Sequence, residues 1–250
     1  MKRITFYGAA GLGLAVFFQC LEILALDFPM IGKTEPSFFQ SLEKSLVAIP
    51  GGPFTMGSRE GNPDAQPREA SVQAFKMAAY EVTVEEFAAF LNDAPSPITN
   101  HPQLVFGGGR WSPRRGEARK PVAYVTYPEA ALYCRWLGGR LPSEEEWEFA
   151  ARGGIAQARY PWGWGDPAGR ACFDAKESKT VGSFEPNAFG LYDMAGNVFE
   201  WCGTPGSNTA VARGGSWSER DARFLCVYHR TEFPIDYRDA DVGFRIVIGY

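Results

Sequence analysis

Residues able to do chemistry by type and spacing are few in this chain. Beyond the first 26 residues there are four cysteines, Cys134, Cys172, Cys202 and Cys226, and in the whole chain two histidines, His101 and His229. No CxxC pair occurs, so the spacing gives no zinc-finger or thioredoxin-like motif. Two distant histidines cannot make a three-histidine iron site. Four thiols permit three disulfide pairings, and spacing alone does not choose among them. The carboxylate run Glu144-Glu145-Glu146 needs no catalytic reading, because acids in a first helical turn favour the helix dipole.

The 250 residues allow one large domain or two small ones, with a net charge of −4. Glycine (28) and proline (18) are abundant, and aromatics make up 14%. Gly and Pro break helix interiors, which excludes a long helical bundle. A 45% apolar share excludes disorder. Mild acidity gives no electrostatic case for nucleic acid. A loop-rich domain anchored by aromatics remains.

Lys2 and Arg3 precede an apolar run, Ile4–Phe18, and apolar residues resume at Ile23–Leu26. This predicts a signal peptide or an uncleaved membrane anchor over residues 1–26, with Ala25 ending the best cleavage site. The mature domain is then expected in the periplasm or on the extracytoplasmic face, with membrane attachment through this segment if it is retained. Residues 27–45 read as a linker or short helix, and 46–250 as one compact domain without an internal repeat.

Within that domain, Val47–Gly57 reads as strand, Gly/Pro turn and strand, and Ala74–Val82 as a strand. Thr83-x-x-Glu86, Thr126-x-x-Glu129 and Ser143-x-x-Glu146 are capping boxes. They open helices predicted over Val84–Leu91, Tyr127–Leu137 and Glu144–Arg152. Gly138-Gly139 and Gly153-Gly154 end the last two. Pro95–Lys120 reads as a long surface loop, and short strands follow Gly154, including Val211–Arg213 and Gly243–Ile248.

Three segments together carry a family pattern. The first is Ala131–Gly154, with Gly139-Arg140-Leu141-Pro142-Ser143 at its centre, followed by Tyr160-Pro161-Trp162-Gly163. The second is Pro186–Trp201, containing Gly190-Leu191-Tyr192-Asp193-Met194-Ala195-Gly196-Asn197-Val198-Phe199-Glu200-Trp201. The third is Arg213-Gly214-Gly215-Ser216-Trp217, then Arg230, Pro234 and Gly243-Phe244-Arg245. With Pro50–Gly57 and Tyr80–Thr83, they resemble the formylglycine-generating enzyme (sulfatase-modifying factor) family over nearly all of 46–250. The resemblance implies an α+β, C-type-lectin-like, loop-rich fold with few short helices and antiparallel strands.

It also implies chemistry that can be checked residue by residue. Active members oxidise a substrate cysteine with oxygen and hold Cu(I) with two thiolates after the Gly-Gly-Ser motif. Soft thiolates suit Cu(I). Here no cysteine lies between Gly215 and Leu225, so neither copper nor formylglycine generation is expected. The family pattern points to a Cys134–Cys226 disulfide, with Cys172–Cys202 as the default second pair; buried free thiols are the alternative. Asp193, Gly196, Val198 and Glu200 match a structural Ca²⁺ site of the family, two carboxylates and two carbonyls being hard oxygen ligands. The alternative is that both carboxylates pin a turn by hydrogen bonds.

Exported pyoverdine-maturation proteins share this fold without the copper cysteines. That resemblance implies an oxidase-like maturation enzyme acting on a peptide-derived substrate, expected as a monomer. Its acid–base candidates are Glu219, His229, Glu232 and Tyr237, for each of which an ordinary surface role is the alternative. The competing class is a lectin-like module binding a small molecule or protein ligand through Ser218–Ala240, a segment rich in Tyr, Phe, Arg and Asp.

Overall fold

The computed structural model describes residues 36–60, 65–94, 96–203 and 208–249. The expected signal peptide or anchor lies outside the described residues, as does most of the linker. Among the described residues four α-helices, a short 3-10 helix (Ala222–Leu225) and eleven short strands alternate with long irregular segments. Helix α1 (Pro36–Ser45) leads into β1 (Leu46–Ile49), β2 (Gly52–Met56), β3 (Arg68–Val72) and β4 (Phe75–Ala78). Helix α2 (Val84–Asp93) is followed by β5 (Leu104–Gly107) and β6 (Arg110–Pro113), then α3 (Tyr127–Trp136) and α4 (Glu144–Arg152). The chain ends in β7 (Phe199–Cys202), β8 (Thr209–Arg213), β9 (Arg230–Pro234), β10 (Val242–Gly243) and β11 (Val247–Gly249). Among the described residues no helix is long and apolar enough to cross a membrane.

Each predicted capping box forms. Thr83, Thr126 and Ser143 accept the N3 amide, and Glu86, Glu129 and Glu146 reach back to the cap amide. Two otherwise unsatisfied amides are thereby satisfied at each start. Gly153, at φ 59°, takes the left-handed conformation that ends α4.

The strands are mostly antiparallel. One sheet runs β1-β4-β11 and a second β10-β7-β8-β9, in which only the short β10–β7 pairing is parallel. β2–β3 and β5–β6 are separate hairpins. The buried side chains form two groups. One gathers Phe87, Phe90, Tyr133, Trp201 and Phe244; the other gathers Met77, Trp147, Leu191, Met194 and Val227. Tyr133 and Phe244 meet edge to face at 5.3 Å, the geometry favoured by the ring quadrupoles.

Residues 36–45, read from the sequence as linker or short helix, form α1, which buries Leu42 in the first group. Two expectations are corrected by this arrangement. The expected loop over 95–120 contains the β5–β6 hairpin. Asn92 of α2 pins it by accepting from the Trp111 amide at 2.7 Å and donating to the Trp111 carbonyl at 2.9 Å. Strands of four residues around three glycines carry too little periodicity to be read from sequence. Finally, Cys134, Cys172, Cys202 and Cys226 are all buried free thiols, so neither expected disulfide is formed. Cys134 packs in the first side-chain group and Cys226 in the second. Cys202 instead donates to the Glu200 carbonyl and Cys172 to that of Glu177. Burial raises the thiol pKa of Cys134, Cys172 and Cys202, which keeps them protonated.

The hairpin is entered through His101, which is 1% exposed. Its Nδ1 accepts from the Gln103 amide and its ring packs on Phe87. Burial pushes the imidazole down to about 4. The unfolded chain therefore takes up a proton near pH 6.5 that the folded chain refuses until about pH 4. Its contribution is fully present above 6.5 and is lost as pH falls through this window. Denaturant unfolding should show stability dropping by roughly 3 kcal/mol from this group between those limits. His101→Gln should flatten that part of the curve.

Candidate functional site

The segment after Gly214-Gly215-Ser216 and the segment before Gly243-Phe244-Arg245 come together at one place. Gly215, at φ 73°, turns the chain so closely that a Cβ there would lie 2.8 Å from the Phe224 carbonyl. Beyond it, Ser216 and Ser218 both donate to Asp241 Oδ2, at 3.2 and 2.7 Å. Trp217 Nε1 donates to the Ala240 carbonyl. Three contacts between two irregular segments thus fix the polar cluster without a helix or strand.

Glu219 sits at its edge, half-buried. Partial burial raises its carboxyl pKa, and the charges of Asp241 and Asp221 raise it further. Its backbone carbonyl accepts from the Asp174 amide, which fixes where the side chain starts. Tyr237 is on the other side: its hydroxyl donates to Asp239 at 3.2 Å and its ring stacks on Phe233 at 4.6 Å. Burial and the charges of Asp239 and Asp241 push that hydroxyl up to about 12. The Phe233–Tyr237 stack supplies an aromatic surface next to Asp239.

The four expected acid–base residues do not form one group. Glu219 and Tyr237 both feel Asp241. His229 lies apart, its ring 4.7 Å from Phe224 and its Nε2 3.2 Å from the Thr231 hydroxyl. Glu232 is exposed on β9, accepts from Arg230 at 3.1 Å, and borders a separate 400 Å³ cleft with Glu144 and Cys202. Sequence reasoning missed Asp241, Ser216 and Ser218. The signal was present, since Asp241 adjoins the Gly243-Phe244-Arg245 motif and both serines adjoin Gly214-Gly215.

The expected calcium ligands have a different environment. Glu200 is 1% exposed, and both its oxygens are taken by Arg245 at 2.6 Å, with Trp147 Nε1 on Oε2 at 2.7 Å. Asp193 Oδ2 accepts the Gly182 amide at 2.6 Å. Glu81, also buried, accepts from Asn197 and the Val198 amide. Burial, Asp193 and Glu200 together raise its pKa. Among the described residues no group of three or more His, Cys, Asp or Glu is arranged to hold a metal ion. Arg245 is the counter-ion of Glu200 here, and a calcium ion at Glu200 would have to displace it. The residues as arranged do not fit the expected four-ligand set.

The family model for the sulfatase-modifying factor enzyme 1-like domain matches residues 33–249. The chain belongs to this family. It is 32% identical to a formylglycine-generating enzyme of Thermomonospora curvata over 82% of this chain and 80% of that one. It is 32% identical to the inactive C-alpha-formylglycine-generating enzyme 2 of Mus musculus, over 70% and 75%. It is 39% identical to part of the serine/threonine-protein kinase pkn1 of Chlamydia pneumoniae, over 65% of this chain and 28% of the kinase. The chain spans less than two fifths of the length of such kinases. Among solved structures, PvdO from Pseudomonas aeruginosa is similar at a TM-score of 0.69 and 26% identity, over 82% of this chain and 94% of that one. Treponema denticola variable protein 1 shares the fold at 0.67 and 22% identity, over 82% and 95%. The family fold is therefore the α+β, loop-rich, C-type-lectin-like one, and the few short helices and mainly antiparallel strands are its elements.

Two outcomes check this geometry. Glu200→Ala leaves a buried, unpaired guanidinium and should cost about 3–5 kcal/mol in denaturant unfolding. With Arg245 in place, millimolar calcium or chelator should leave the thermal midpoint within about 1 °C, a shift of no more than a few tenths of a kcal/mol. Clear stabilisation by calcium would restore the four-ligand reading.

Proposed function

We propose that this chain is an exported maturation enzyme of the oxidase type, acting on a peptide-derived substrate, and that it does not generate formylglycine. One observation carries the reading: Glu219, with a raised pKa, adjoins the Ser216–Ser218–Asp241 hydrogen-bond cluster, its amide donating to the Ser216 carbonyl. The similarity to PvdO supports a pyoverdine-maturation type of role, and the missing cysteine pair between Gly215 and Leu225 argues against copper chemistry. The basic and apolar N-terminal segment supports export.

The chemistry asked of the site is proton removal from a C–H of the substrate, coupled to its two-electron oxidation. Two protons and two electrons leave the substrate. Glu219 takes one proton; the other proton and the electron pair pass to dioxygen, which becomes hydrogen peroxide when Glu219 gives up the proton it took. Asp241 keeps Glu219 basic by its charge. A positioned carboxylate base contributes on the order of 10²–10⁴ in rate.

With a peptidyl siderophore precursor as trial substrate, Glu219→Gln should lower the rate of dioxygen consumption by that factor at unchanged thermal stability. Asp241→Asn should move the acidic limb of the pH–rate profile to lower pH. Similarity to an inactive family member favours a second reading, a non-catalytic ligand-binding module. In that case Glu219→Gln retains full biological activity, while Phe233→Ser loses it.

A further inference from the structure

The β5–β6 hairpin concentrates both charge and exposed apolar surface. From Ala94 to Gly116 the sequence holds Arg110, Arg114 and Arg115 and no acidic residue, in a chain of net charge −4. All three arginines are exposed. Arg114 Nε donates to the Pro102 carbonyl at 2.7 Å. Among the described residues no carboxylate pairs with any of the three. Between and beside them, Val105 is 44% and Phe106 59% exposed, two of the three large hydrophobic side chains singled out as exposed in the described chain. Phe106 pairs with Trp111 across the hairpin, ring centroids 5.2 Å apart. The tip is Gly107-Gly108-Gly109, with φ of 60° and 78° at the last two.

Each feature alone is ordinary, but their coincidence is not. Trp111 also packs on the first side-chain group and Asn92 pins its backbone, so the hairpin is held rigidly on α2. A rigid aromatic pair next to a narrow, side-chain-free tip, with Arg110 at the tip and Arg114 and Arg115 beyond the other end of β6, matches the layering of a bilayer interface lying along the hairpin. Aromatic rings sit at headgroup level, and arginines meet lipid phosphates while their stems stay in apolar surroundings. Basic side chains near an anionic lipid surface attract it at about 1 kcal/mol each, roughly fivefold in partitioning. If the N-terminal apolar run is retained as an anchor, the nine residues Asp27–Glu35 reach at most about 30 Å, which keeps the domain at the bilayer.

We propose that the β5–β6 hairpin docks on an anionic phospholipid surface, with Phe106 and Val105 at the interface and Arg110, Arg114 and Arg115 on the phosphates. The test is hydrogen exchange of the 104–113 amides in the full chain. It compares nanodiscs of phosphatidylcholine alone with nanodiscs that also contain phosphatidylglycerol. Any N-terminal anchor acts in both, so only the hairpin is read. Exchange at Gly108–Arg110 should slow at least about fivefold with phosphatidylglycerol. Arg110→Glu with Arg115→Glu should abolish that slowing at unchanged thermal midpoint, since both side chains are exposed and neither makes a hydrogen bond or ion pair among the described residues. Equal exchange in both lipids overturns the proposal. So does slowing by soluble polyglutamate and not by the anionic lipid, which would assign the surface to an acidic protein instead.

Discussion

The buried ion pair between Arg245 and Glu200 is the constraint on which the rest of this structure depends. A guanidinium fully withdrawn from water is tolerable only if its donors are satisfied. Arg245 meets that demand with both oxygens of Glu200 and with the carbonyls of Ala78, Ala79 and Tyr192. Those partners come from the end of β4, from the irregular segment before β7 and from β7 itself. One side chain therefore ties the two larger sheets and a long loop together. A second buried network does the same for the other half. Arg213 of β8 pairs with Glu148 of α4, which also holds Arg152 and the Gly57 amide. A fold with little regular secondary structure has few backbone ladders to fix it, and these charged junctions take their place.

The functional cluster follows from that frame. Arg245 and Arg213 each sit within a few residues of the segments that converge on Asp241. Fixing β10 and β8 fixes the two loops that supply Asp241 on one side and Ser216, Ser218 and Glu219 on the other. The same frame accounts for the environment of Glu200, whose two oxygens are engaged by Arg245.

Much of this was legible in the sequence, and the limits have physical causes. The three capping boxes were readable because they are local: four residues suffice to specify each start. The family motifs carried the fold. The β5–β6 hairpin was not legible, because its strands are four residues long and its periodicity is hidden by glycines. The disulfides were inferred from family pattern, while the burial of Cys134 and Cys226 in separate side-chain groups is a long-range fact. Asp241 was overlooked for the same reason: it becomes an acid–base partner of Glu219 only when segments more than twenty residues apart are folded together.

The central claim is that partial burial and the charge of Asp241 raise the Glu219 carboxyl pKa from the ordinary glutamate value and so make it a base. The most direct measurement is the titration of the Glu219 carboxyl carbon by NMR in the folded protein and in Asp241→Asn. The account predicts a midpoint above the usual 4.5 of a glutamate that falls back towards it when Asp241 loses its charge. An ordinary midpoint in the unaltered protein, or one indifferent to Asp241, would contradict it.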